Sequence, residues 1–164
     1  MSNSLRDKVV VVTGASSGIG RSIALESASR GATVILMARH QDKLEEIANE
    51  ARQLSGNEVY VFPTDISKAD QIDRAFNEIV SHVDHIDYLV NAAGFGVFKE
   101  FLETSPQVVT EMFQTNVLGL MYFTRLVARV MIDQKQGQII NFGSIAGIVP
   151  TTKTAAYSAT KAAI

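Results

Sequence analysis

The sequence predicts an α/β fold, a parallel sheet doubly wound by helices, and three observations predict it. Short β-branched runs alternate with longer runs of helical periodicity along the chain. The first such run, Lys8-Val9-Val10-Val11-Val12-Thr13, is apolar on both faces, as parallel strands covered from two sides are. A helix-length segment separates each strand from the next, which gives βαβ units with right-handed crossovers.

The elements follow in order. Lys8 to Thr13 is the first strand and Gly14 to Gly20 a turn. Ile19, Ile23, Ala24 and Ala28 fall at helical spacing, with Gly31 as the stop. Thr33 to Met37 is the second strand, and Gln41 to Leu54 a charged amphipathic helix with Leu44, Ile47, Ala48 and Leu54 on one side. Glu58 to Phe62 is the third strand, closed by Pro63. Asp65 or Ser67 is expected to cap a helix over Lys68 to Val80. Asp87 to Val90 is a short fourth strand ending at Asn91-Ala92-Ala93-Gly94. Pro106 opens one long helix to about Asp133. Gln138 to Phe142 is the fifth strand, and a last helix begins near Thr154. The expectation is a Rossmann-type sheet of strand order 3-2-1-4-5.

Bulk properties narrow the function classes. A chain of 164 residues fits one domain with a real core, here residues 1–164. Hydrophobic residues make up 46% and charged ones 20%, and the net charge is −2, which gives no reason to expect nucleic acid or a membrane as partner. The chain has no cysteine, so disulfides and thiolate chemistry are excluded, and a cytoplasmic location is the expectation. No stretch approaches the ~20 apolar residues of a membrane span. Ala162, Ala163 and Ile164 carry no helix-stop signal. The chain is therefore expected to be part of a longer protein, cut within the helix carrying Tyr157 and Lys161.

Thr13-Gly-Ala-Ser-Ser-Gly-Ile-Gly20 sits between a strand and a helix, which is the context that makes a glycine-rich string informative. Gly14 permits a tight turn, Gly18 lets backbone approach a pyrophosphate, and Gly20 allows close helix packing. The helix N-terminus offers free N–H groups and partial positive charge to phosphates, with the Ser16 and Ser17 hydroxyls beside them. A plain glycine-rich turn is the bland rival. At the end of the second strand an acid would favour the ribose of NAD and an arginine the 2′-phosphate of NADP. Ala38 and then Arg39 stand there, and no acid occurs from Gly31 until Asp42. NADP(H) is expected over NAD(H), the rival being that Arg39 is a solvated loop cation. Asp65, after the third strand, is a candidate acceptor for the adenine amino group, with helix capping as an equal rival.

Tyr157 and Lys161 are four apart and share one face of a helix. A neighbouring ammonium favours the phenolate, and a tyrosine so tuned exchanges a proton with a carbonyl or alcohol oxygen. Ser144 follows the fifth strand at the carboxyl end of the sheet, where open α/β sheets place ligands. Gly143 and Gly147 flank it and are expected to leave room for a substrate.

With these motifs in this order, and with Asn116 in the long helix, the sequence resembles the short-chain dehydrogenase/reductase family along its whole length. The resemblance implies a catalytic tetrad of Asn116, Ser144, Tyr157 and Lys161. Tyr157 would be the general acid in reduction. Lys161 would lower the tyrosine pKa and hold the nicotinamide ribose. Ser144 would donate to the substrate oxygen, and Asn116 would order a water leading to Lys161. Substrate contacts fall to Ser144 and Tyr157. The cofactor would lie on Gly14, Ser16, Ser17, Gly18, Ile19 and Gly20. Beyond that loop it would meet Arg39, Asp65 and Ile66, then Asn91, Ala92, Ala93 and Gly94, and finally Tyr157 and Lys161. The family usually has a second asparagine where this chain has Ala92, so one hydrogen bond of that turn is at issue. The family also continues for another third of its length, including its substrate loop, and uses the long helix for subunit contacts. A homo-oligomer, dimer or tetramer, is expected.

Two further groups stand apart. His82, Asp84, His85 and Asp87 read as a solvated polar connection rather than a metal site, and no metal is expected. Phe95, Phe98 and Phe101 line either a substrate mouth or the packing under a loop. The leading functional expectation is an NADPH-dependent reductase of a ketone or 3-oxoacyl group, acting on a small molecule. An NADP-binding regulator without turnover is the rival.

Overall fold

The computed structural model describes residues 5–149 and 151–164. Five parallel strands form one sheet in the order β3-β2-β1-β4-β5. They are β1 (Val9–Thr13), β2 (Thr33–Ala38), β3 (Val59–Pro63), β4 (Tyr88–Asn91) and β5 (Gln138–Asn141). Between them run α1 (Gly18–Ser29), α2 (Gln41–Ser55) and α3 (Ala69–His82). Two further helices, α4 (Pro106–Phe113) and α5 (Leu120–Asp133), link β4 to β5, and α6 (Ala155–Ala162) follows β5.

Alternation along β1 explains the two layers. Val9 and Val11 point to one face and pack with Ile72 and Ile79 of α3 and Phe123 and Val127 of α5. Val10 and Val12 point to the other and pack with Ala24 and Ala28 of α1 and Leu44 and Ala48 of α2. All five β1 residues are buried, which is why the run shows no polar alternation. Register pairs Val11 with Ile35 on one side and Leu89 on the other. Every strand therefore ends at one rim, and the loops after β1, β2, β3, β4 and β5 gather there.

One local expectation is corrected and another refined. Neither Asp65 nor Ser67 caps α3: the residue before the helix is Lys68, and no side chain caps it. The Asp65 carboxylate instead accepts from the Ser67 N–H and hydroxyl at 2.9 and 2.8 Å, a local turn that competes with capping. The long helix runs from Pro106 to Asp133 as the sequence indicates, and α4 and α5 are its two parts, joined through a π-helical turn over Gln114–Gly119. Ser105 caps α4 by accepting from the Val108 N–H, with Pro106 in the first turn, so the start of the run is as the sequence indicates. Periodicity does not report the π turn, which adds one residue without changing composition.

Candidate active site

The loop after β1 is tied to both neighbouring strands. The Ala15 N–H donates to the Met37 carbonyl at 3.1 Å, and the Thr13 hydroxyl accepts from the Ala93 N–H at 3.2 Å. Gly14 has φ +68°, and a Cβ on it would lie 2.6 Å from the Ala93 nitrogen. Only glycine lets the two loops meet so closely. Ser17 precedes α1 but makes no side-chain cap, and the first turn of α1 holds no acid. The first N–H groups of the helix and its positive dipole end thus meet no side-chain cap among the described residues.

These features floor a cleft of about 330 Å³. Ser16, Ser17, Gly18, Ile19 and Gly20 line it together with Gly14. Arg39, Asp65 and Ile66 form its far wall, and Ala92, Ala93 and Gly94 its near wall. Arg39 is exposed there, and among the described residues it forms no ion pair. Thr13 and Phe95 line the cleft too, as do His40, Thr64 and Thr115, which lie outside the motifs. His40 and Thr64 sit two residues and one residue past a strand end, which is the signal that finds them.

Asn91 does not line this cleft. It is buried in the sheet, and its amide donates to Thr124 at 2.8 Å and to Asn141 at 2.9 Å, joining β4 to α5 and β5. The turn after it holds without a second asparagine: the Ala92 N–H donates to the Val90 carbonyl, and the Ala93 N–H to Thr13.

Tyr157 and Lys161 lie one turn apart on α6. The Lys161 ammonium donates to the Phe142 carbonyl at 2.6 Å. Burial pushes its pKa below the usual 10.5. A Cβ on Gly94 would come within 4.0 Å of that nitrogen, so the near wall of the cleft abuts the ammonium. The Tyr157 ring leans on Phe98, with centroids 5.6 Å apart and planes at 56°.

Ser144 precedes a 3₁₀ turn over Ile145–Gly147, and its Oγ accepts from the Ala146 N–H at 3.2 Å. A lone pair is used there, and the hydroxyl proton stays available to a partner. Gly147 does not make room for a substrate. A Cβ on it would lie 2.6 Å from the Lys161 carbonyl oxygen, so its bareness lets the Ser144 turn pack on α6. Gly143, by contrast, has open space beside it.

Asn116 occupies the π turn and is 1% exposed. Its Oδ1 accepts from the Phe95 N–H at 3.0 Å, and its Nδ2 donates to the Phe95 carbonyl at 2.8 Å. The same Nδ2 donates to the Thr160 hydroxyl at 3.1 Å, and that hydroxyl donates to the Tyr157 carbonyl. Asn116 thus joins the loop after β4 to the helix of Tyr157 and Lys161.

Comparison with known proteins agrees with this architecture. A family model described as short chain dehydrogenase matches residues 8–164. An uncharacterized oxidoreductase from Staphylococcus aureus is 36% identical over 160 residues, covering 98% of this chain and 68% of that protein. The crystal structure of a metagenomic short-chain oxidoreductase in complex with NADP is 37% identical, with TM-score 0.92, over 98% of this chain and 72% of that one. An NAD+-bound xylitol dehydrogenase is 29% identical, with TM-score 0.93, over 98% of this chain and 62% of that one.

Proposed function

The chain belongs to the short-chain dehydrogenase family, and from that premise we propose that it is an NADPH-dependent oxidoreductase reducing a ketone or 3-oxoacyl carbonyl to a secondary alcohol, or running the reverse. One observation carries the reading. The cleft floored by the glycine loop ends at Gly94, against the ammonium of Lys161, one helical turn from the Tyr157 phenol. A cofactor lying in that cleft would thereby reach toward the proton donor.

The residues suit a dinucleotide. The bare backbone of Gly14 and the uncapped start of α1 fit a pyrophosphate, which would satisfy N–H groups that meet no side-chain cap among the described residues. The exposed Arg39, in no ion pair among the described residues, suits a 2′-phosphate, and the NADP complex of the 37% identical relative points the same way. Asp65 and Ile66 would border the adenine. When bound, the nicotinamide supplies or accepts the hydride.

The rest of the chemistry falls to this chain. Tyr157 would donate its phenolic proton to the carbonyl oxygen as charge develops there. The Lys161 cation would favour the phenolate that remains. The Ser144 hydroxyl would donate a second hydrogen bond to the same oxygen, stabilising it before the proton arrives. Asn116 would fix the spacing between the loop after β4 and α6. Leu118 and Met121, on the α4–α5 segment, are apolar and more than half exposed, which suits a contact with a second copy in a homo-oligomer. Light scattering at micromolar concentration checks that assignment.

The decisive experiment is Tyr157→Phe in the complete gene product. Turnover should fall by about 10² to 10⁴ while NADPH affinity stays within about twofold. Undiminished turnover would remove Tyr157 as proton donor. A wild-type protein that binds NADPH but reduces no carbonyl in a broad panel would be a regulator instead.

A further inference from the structure

The loop after β4 carries three aromatic rings that the fold leaves in solvent: Phe95, Phe98 and Phe101 are 36%, 63% and 65% exposed. They do not pack under the loop. Nor is the loop slack. The Asn116 amide holds the Phe95 backbone at both its N–H and its carbonyl. Four residues on, the Lys99 N–H donates to the Lys153 carbonyl at 3.1 Å, tying the loop to the segment before α6. The side chains of Lys153 and Glu100 pair across the same junction at 3.8 Å.

Between these two anchors the loop bears on Tyr157. A Cβ on Gly96 would lie 2.9 Å from Cδ2 of the phenol ring, so bare backbone touches that ring. Phe98 meets it as well, in the tilted arrangement aromatic pairs prefer, and still has most of its own surface free. From Phe95 to Phe98 the loop is Phe-Gly-Val-Phe, with no charged side chain. The first charges, at Lys99 and Glu100, lie beyond it, and Glu100 is already paired. Glu100 being paired, a cationic group beside Phe98 would find no free carboxylate there. A flat apolar group would find an aromatic surface next to the reacting oxygen.

Resting on the reading of Tyr157 as proton donor, we propose that Phe98 is a positioning and specificity-determining residue. One side of its ring holds the Tyr157 phenol, and the free side receives an aromatic or other planar apolar group carried by the substrate carbonyl. The substrate class is then narrowed to aryl or similarly flat apolar ketones, against small or cationic ones.

The test compares acetophenone with acetone in the complete gene product, as wild type, Phe98→Ala and Phe98→Tyr, with NADPH affinity measured alongside. Phe98 is mostly exposed, so its truncation leaves the fold intact. Wild type should prefer acetophenone. In Phe98→Ala that preference should fall at least tenfold, mainly through KM, with kcat for both ketones lowered and NADPH affinity unchanged. Phe98→Tyr should restore most of the preference. A ratio of the two kcat/KM values that Phe98→Ala leaves unchanged, or a Phe98→Tyr protein as impaired as Phe98→Ala, overturns the role of Phe98 alone. Wild-type protein that binds NADPH and reduces neither ketone overturns this proposal, and the reading of Tyr157 beneath it falls only if the broad carbonyl panel is also left unreduced.

Discussion

Asn116 treats the backbone of Phe95 as a neighbouring strand would, accepting from its N–H at 3.0 Å and donating to its carbonyl at 2.8 Å. Both bonds are made from inside a π turn, where the extra residue of the wider coil turns the side chain into the protein. With Thr160 as third partner, both hydrogens of the Asn116 amide are in use. Asn116→Leu keeps the volume but orphans the Phe95 and Thr160 groups. It should cost about 1–3 kcal/mol, read as a lower urea midpoint. Turnover should fall with it, while NADPH affinity, measured by cofactor fluorescence, changes only a few-fold. A variant with wild-type midpoint and wild-type kcat would mean the link is idle.

Arg39 stands on the cleft wall with no ion pair among the described residues, and the next acid is Asp42, in the first turn of α2. Exchanging it for an acid should repel a 2′-phosphate and offer an acceptor to a 2′-hydroxyl. Arg39→Asp is expected to move the ratio of kcat/KM for NADPH over NADH by about 10²-fold toward NADH, a charge-assisted bidentate contact being lost. A ratio that stays put would make Arg39 a solvated cation.

Much of this was legible in the sequence because it is local. The unbroken valines of β1 announce burial on both faces, and the glycine loop, Tyr157 with Lys161, and Ser144 stand at strand ends or on one helical face. Features formed by contact between distant segments were not legible. The π turn at Asn116 depends on Phe95, 21 residues away, and on Thr160, 44 away. The use of Gly147 depends on the backbone of α6. Asp65 shows a third kind of miss: capping and turn formation ask for the same carboxylate, and the hydroxyl of Ser67 decided between them. The motif points Asn91 at the cleft, yet its partners are Thr124 of α5 and Asn141 of β5.

The left-handed backbone at Gly14 gives a prediction about the cradle itself. Gly14→Ala must pay for φ +68° and for a Cβ 2.6 Å from backbone nitrogen, which no side-chain rotation relieves. The loss should exceed about 1 kcal/mol in stability, and affinity for both NADPH and NADH should drop together. That joint loss separates a deformed phosphate loop from the selective effect expected at Arg39. Gly18→Ala is the control: its φ is also positive, at +53°, but a Cβ there meets nothing within 4 Å, so its stability cost should be the smaller of the two.

At the opposite rim of the sheet, Asp87 is 5% exposed and gathers the start of β1. Its carboxylate accepts from the Lys8 ammonium at 2.8 Å, the Val9 N–H at 2.9 Å and the Gln136 amide at 3.2 Å, with His85 Nε2 at 3.1 Å. Burial pulls its pKa up. The bonds from Lys8 and Val9 and the charges of Lys8 and His85 outweigh that and hold it below the ordinary 3.8. The Lys8 pKa is raised above 10.5 by the same bond and charge. An acid whose pKa is lowered by folding contributes stability that is complete above its unfolded pKa and is lost as pH falls through the folded one. Asp87→Asn should therefore cost about 1.5–3 kcal/mol at pH 7, since hydrogen bonds to a charged group are replaced by neutral ones. The gap between wild type and variant should stay constant down to about pH 5 and narrow below pH 4, where the wild type loses its carboxylate. Urea midpoints at pH 7, 5 and 3 read this directly, and a gap that widens in acid would reverse the sign assigned to Asp87. The residue lies at the far rim from Tyr157, so kcat/KM at pH 7 should not change.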